Sequence, residues 1–263
     1  MIRKLKPIPA ALALASLALL SASAQAEPGY SLEEIIVTAQ KRAESLQEVP
    51  VSVTAISGSA ISDAGITGLA DISRQTPGFS MNQFNLAEPQ MFIRGIGSTQ
   101  DSAGSDSPVA MFIDEVYIGR AGGASMELYD IARIEVLRGP QGTLFGKNVV
   151  GGAINVISEK PSDEYRGKIG GTLGSDGLTS IKGLVNGPLS ENVAGKFAFS
   201  KKDTDGYAQN TTTGQTAHDV DNISARGQLL IQPSDTLEIT LGVDYSKDDN
   251  HGNCRVVGEL DKD

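Results

Sequence analysis

The chain has 263 residues, enough for one or two domains with a buried core. Its 22 Lys and Arg against 32 Asp and Glu leave a net charge of −10, which argues against a nucleic-acid partner and its clustered basic surface. Aromatic residues make up only 5%, Trp is absent and 30 residues are Gly, a composition of turn-rich β structure rather than of a helical bundle.

The first 26 residues read as an export signal. Arg3, Lys4 and Lys6 precede the apolar run Ile8–Leu20, and Ala24-Gln25-Ala26 offers a small-x-small cleavage site. The run is too short for a membrane anchor, and no later segment has the length of a spanning helix. Any later crossing of a membrane would be made by strands.

Residues 27–48 form a polar leader with one β-branched patch, Ile35, Ile36, Val37 and Thr38, which favours an extended conformation. Residues 49–160 carry the mixed pattern of a compact α+β domain. Val49–Ile56 alternates as a strand, Thr67 can cap a short helix that Pro77 ends, and Met91–Ile93 runs into a Gly turn. Ala110–Ile118 has Asp114-Glu115 at its centre and predicts a tight hairpin. Ile131–Leu137 alternates up to Arg138-Gly139-Pro140, and Ala153–Ile157 is the last strand before Pro161.

Residues 161–263 form the last region, and from Tyr165 onward the period is two. Five segments, Tyr165–Leu173, Thr179–Val185, Val193–Lys202, Ile223–Ile231 and Leu237–Ser246, each carry an apolar and a polar face, with Leu184 as an exception. Turns are expected at Ser175-Asp176, Asn186–Asn192 and Gln232–Asp235, and a long loop at Asp203–Asp221. Periodicity alone fits either a water-soluble sandwich or a transmembrane barrel. Charged residues on the polar face favour a wet lumen. Short turns belong in the periplasm, so the long loop, His251 and Cys254 would lie outside the cell.

Chemistry-bearing motifs are few. The glycines around Lys147 miss the phosphate-loop pattern, because Gln141 occupies the first Gly position and Asn148 replaces the hydroxyl. Gly95-Ile96-Gly97 lacks the third Gly of a dinucleotide fingerprint, since Gln100 stands there. His218 and His251 both fall in predicted loops, Asp248-Asp249 reads as a solvated turn, and Cys254 is the single cysteine. No catalytic constellation, metal site or cofactor is expected.

Several stretches resemble the TonB-dependent receptor family of outer-membrane transporters. Glu33–Arg42 (EEIIVTAQKR) is similar to a TonB box, and Val49–Ile56, Gln90–Gly97, Ala110–Ile118 and Ile131–Pro161 follow the family's plug signature in the family's order. The resemblance implies an α+β plug domain followed by the first antiparallel strands of a transmembrane β-barrel, in the outer membrane of a Gram-negative cell. It implies that Glu33, Glu34, Ile35, Ile36, Val37, Thr38 and Ala39 are taken up by TonB, driven by the inner-membrane ExbB–ExbD motor, while outer-membrane lipid surrounds the strands. The cargo would be a small-molecule ligand such as an iron–siderophore chelate, with cobalamin, haem and sugars served by the same architecture.

The resemblance further implies that the plug charges Arg94, Glu135 and Arg138 face the barrel wall. The residue pattern equally allows solvent exposure or ion pairs within the plug. Barrels of this kind have about 22 strands, against five segments here, which leads to the expectation that the sequence is an N-terminal fragment. The rival readings are a stand-alone binding module built on the plug, a non-functional truncated receptor and a secreted β enzyme; the last lacks any nucleophile–base arrangement.

Overall fold

The computed structural model describes residues 35–82, 89–99, 106–119, 129–209, 214 and 216–251. The expected export signal, Glu33, Glu34, Gln100, Cys254 and residues 260–263 lie outside the described residues.

The N-terminal part begins with β1 (Ile36–Val37) paired antiparallel to β2 (Glu44–Ser45). A five-stranded mixed sheet follows, built from β3 (Ser52–Ser57), β7 (Val109–Ile113), β8 (Val116–Ile118), β9 (Ile131–Arg138) and β10 (Gly152–Ser158), in the order β3-β9-β10-β7-β8. All its ladders are antiparallel except β10–β7, which is parallel. A smaller sheet of β4 (Phe79–Asn82), β5 (Gln90–Ile93) and β6 (Ile96–Gly97) accompanies it. Among the described residues, three short helices accompany the sheets: α1 (Gly58–Asp63), α2 (Leu69–Gln75) and α3 (Gly142–Phe145).

Local chemistry accounts for the element ends. Ser57 caps α1, its hydroxyl accepting from the Ala60 amide at 3.3 Å. Thr67 plays a different part from the expected cap. Gly68 is the first flanking residue of α2, and the Thr67 amide and hydroxyl donate to Asp71 Oδ2. Thr76 is extended because Pro77 follows it, which closes α2. The predicted hairpin forms, with Asp114 and Glu115 both in the left-handed region as a two-residue turn between β7 and β8.

Two apolar clusters fill this domain. One joins α1 and α2 (Ile61, Leu69, Ile72) to Ile93, Met111, Ile134, Ile154 and Val156 across the sheet. The other lies on the opposite face and joins Ala110, Phe112, Leu137 and Ala153 to Val37 and Ala39 from the leader.

The second sheet has five long antiparallel strands in chain order, β11 (Arg166–Leu173), β12 (Thr179–Ser190), β13 (Val193–Thr204), β16 (Val220–Ser234) and β17 (Leu237–Asp248). The segment between β13 and β16 holds a small hairpin of β14 (Ala208–Gln209) and β15 (Thr216–Ala217). The alternation seen in the sequence is inverted with respect to a water-soluble sandwich. Asn186, Lys196, Ser200, Asn222, Ser224, Arg226 and Gln228 are buried, whereas Phe197 is 50% exposed and Val243 74%. Leu184, the exception in the pattern, lies on the buried face. A sheet with its polar side covered and its apolar side bare is matched to a hydrocarbon surround. Among the described residues no helix is long and apolar enough to cross a membrane.

Candidate functional site

Two polar junctions organise the molecule. The first lies between the α+β domain and the buried face of the long sheet. Asp130, immediately before β9, places Oδ2 2.8 Å from Lys196 Nζ of β13 and Oδ1 2.9 Å from Arg226 Nη1 of β16. All three side chains are at most 1% exposed. Arg226 Nε also donates to Asp244 of β17, and Lys196 Nζ to the Glu159 carbonyl. One buried carboxylate thus compensates two buried cations, and a second, half-exposed one on β17 also pairs with the arginine, the pairing that buried charge requires. Beside it, burial, and after it the Asp130 charge, hold the Tyr129 phenol well above its ordinary pKa.

Asp114 extends this junction. Its carboxylate accepts from the Ser158 amide at 2.8 Å and hydroxyl at 2.7 Å, and Gln228 Nε2 of β16 reaches both Ser158 Oγ at 3.0 Å and Asp114 Oδ2 at 3.3 Å. The turn residue expected to do no more than shape a hairpin also ties the domain to the sheet. Asn186 of β12 clamps the connection to β11, accepting from the Ser162 amide and donating to the Glu164 carbonyl.

A family model described as TonB-dependent Receptor Plug Domain matches residues 45–153. The pesticin receptor of Yersinia pestis is 32% identical over 200 residues, covering 74% of this chain and 29% of the receptor. The chain belongs to the TonB-dependent receptor family. The ferripyoverdine receptor of Pseudomonas aeruginosa is 27% identical over 225 residues, covering 83% of this chain and 26% of that protein. Among solved structures, the ferric yersiniabactin uptake receptor FyuA from Yersinia pestis superposes with a TM-score of 0.69 at 29% identity, over 74% of this chain and 31% of that one. The chain therefore spans less than a third of the length of these relatives. The α+β domain is the plug, and the long sheet is an unclosed run of barrel wall.

The second junction is internal to the plug and involves residues of the expected TonB box. Val37 and Ala39 are fully buried in the second cluster, whereas Ile36 points outward at 43% exposure. The Thr38 amide donates to Glu135 Oε1 at 2.7 Å, and the Thr38 hydroxyl to the same oxygen at 3.3 Å. Arg133 Nε donates to Glu135 Oε1 at 2.8 Å, and its Nη2 to Thr38 Oγ1 at 3.1 Å. Asn155 Nδ2 approaches Oε2 at 3.4 Å.

These contacts correct the expectation for Glu135. It does not face the wall; it is fully buried inside the plug, because β9 is a central strand and its carboxylate is turned to Thr38 and Arg133. The described bonds of Arg94 and Arg138 also stay within the plug, to Ser52 Oγ at 3.3 Å and the Pro77 carbonyl at 3.1 Å. Besides the partly exposed pairs of Glu159 with Arg166 and Lys168 and of Lys160 with Glu238, the charges that meet the wall strands are Asp130 and, through polar bonds, Asp114. Neither was legible as such in the sequence. The available signal was indirect: Lys196 and Arg226 on the covered face of their strands demand an acidic partner.

At the far end of the wall, His251 Nδ1 lies 2.8 Å from Asp219 Oδ2, and the His251 amide donates to Asp219 Oδ1 at 2.9 Å. The Asp219 hydrogen bond, then its charge, raise the imidazole pKa above its ordinary value. For Asp219, burial opposes the effect, but the bonds from His251 prevail and lower the carboxyl. Nearby, the Tyr207 and His218 rings stack with centroids 4.5 Å apart.

Proposed function

We propose that this chain is the coupling and gating part of a TonB-dependent uptake receptor in the outer membrane. The segment Glu33–Ala39 serves as the TonB box, residues 27–48 as its leader, 49–160 as the plug and 161–263 as the first barrel strands. TonB, driven by ExbB–ExbD, pulls on the box from the periplasm, outer-membrane lipid covers the apolar wall face, and the cargo is a small metal chelate of the siderophore class. The relatives are named as receptors, one of them as a ferric yersiniabactin uptake receptor, and the reading includes no catalytic step.

The observation that carries this reading is the manner in which the plug is held. Asp130 and Asp114 bind it to the wall through ion pairs and hydrogen bonds, which water can replace, and the two apolar clusters lie wholly within residues 35–156. A domain whose core is separate from its mounting can be moved without being unfolded. The β-branched strand at its N-terminal edge, with Ile36 outward, suits addition to the sheet of a partner through backbone bonds.

The test is cross-linking of Ile36→Cys in the full chain to cysteine-bearing TonB. Capture is expected at Ile36 and not at a control cysteine placed at Val116, which is exposed on the edge strand β8 of the plug sheet. Equal capture at both positions would remove the box assignment.

A further inference from the structure

The box strand is docked: Val37 and Ala39 are buried, β2 pairs with it, and Glu135 takes its Thr38 amide. We infer that Glu135 is a latch: a positioning residue that keeps Ile35–Ala39 on the plug and that must release Thr38 before any partner can pair with this strand. The inference rests on the box assignment above and adds to it the group that controls access.

Three features of the geometry point to this role. First, the Thr38 amide is consumed by Glu135 Oε1, so it cannot at the same time donate to an added strand. Docking and strand addition are therefore mutually exclusive at Thr38. Second, the latch can open without orphaning a buried charge. Arg133 donates to Glu135 through Nε and to Thr38 through Nη2, so after Thr38 departs the carboxylate keeps its cation. Loss of Thr38 then costs hydrogen bonds rather than an uncompensated ion, which makes release reversible.

Third, the strand bearing Glu135 is far more firmly fixed than the strand it holds. β1 has a two-residue ladder to β2 on one edge, whereas β9 is laddered along both edges, to β3 and β10. The residue preceding β9, Asp130, is bound to the wall by Lys196 and Arg226. Traction on the leader meets the weak ladder and the Glu135 bond first, and β9 stays in place while residues 35–46 peel away.

Hydrogen exchange on the full chain tests this. Glu135→Gln weakens the charge-assisted bond and is expected to speed exchange of the Thr38 amide by about fivefold. Glu135→Leu removes the acceptor and is expected to speed it by at least about tenfold, with the β10 amides unchanged. Unchanged Thr38 exchange in a folded Glu135→Gln protein overturns the latch, as does a uniform increase across β9 and β10. The Ile36→Cys cross-link separates the two readings. If TonB is never captured, even with Glu135→Leu, the box assignment fails while the exchange result still decides the latch. If capture occurs at the same yield with and without Glu135, the box stands and the latch falls.

Discussion

Asp130 holds two cations on one carboxylate, and the energetics of that arrangement are asymmetric. Asp130→Ala would take from the buried Lys196 ammonium its carboxylate, and from Arg226 one of its carboxylate partners. The expected loss is about 3–5 kcal/mol, seen as a lowered urea midpoint of the purified chain. Replacing Asp130 and Lys196 together by Leu and Met is expected to recover much of that loss, because the unpaired ammonium is gone. The His251–Asp219 pair carries a pH signature. Its folded histidine pKa lies above 6.5 and its folded carboxyl below 3.8, so the tie is fully formed between those values and weakens as pH rises through the raised imidazole pKa. Titration of His251 by NMR should show that elevation, and Asp219→Asn should remove most of it, leaving the smaller contribution of Asp249. Single-residue roles were the least legible part of the sequence. Glu135 and Asp130 differ in partner because one lies within a central strand and the other just before it, a distinction that no pattern of residue types encodes.

Elements were read more faithfully, and the misses have local causes. The alternation of the wall strands is a one-dimensional signal, so all five appeared where expected. Asn186–Asn192, expected as a turn, is instead strand as far as Ser190, with the turn at Glu191-Asn192. The ladder absorbs Pro188 through an irregularity in its pairing to β13. In the plug, α1 and α3 went unforeseen because helices of 6 and 4 residues are too short to establish a period. One glycine sets the seam between β9 and β10. Gly152 has φ +153°, and a methyl group there would sit 2.2 Å from the Leu137 carbonyl oxygen and 2.8 Å from Ile93 Cδ1. Gly152→Ala is expected to cost about 1–3 kcal/mol by overpacking, and calorimetry of the plug transition would measure it.

At the scale of the whole molecule, the two halves obey opposite solvents. The plug buries its apolar side chains among themselves, and the wall presents its own outward. Residues 35–160 expressed alone are therefore expected to fold cooperatively in water, with a single thermal transition by circular dichroism. Residues 161–263 alone should aggregate unless detergent or lipid covers Phe197, Leu241 and Val243. A plug that melts without cooperativity would mean that the Asp130 junction is part of its folding nucleus rather than its mounting.

The order of the plug sheet has a consequence for biogenesis. β10 lies between β9 and β7, yet it is the last of the five strands to be synthesised. Until residue 158 has emerged from the ribosome or a secretion channel, the middle of the sheet is empty and neither neighbour can close on it. The chain thus stays pliable enough to thread through a narrow conduit, and one late strand completes the domain once it has arrived.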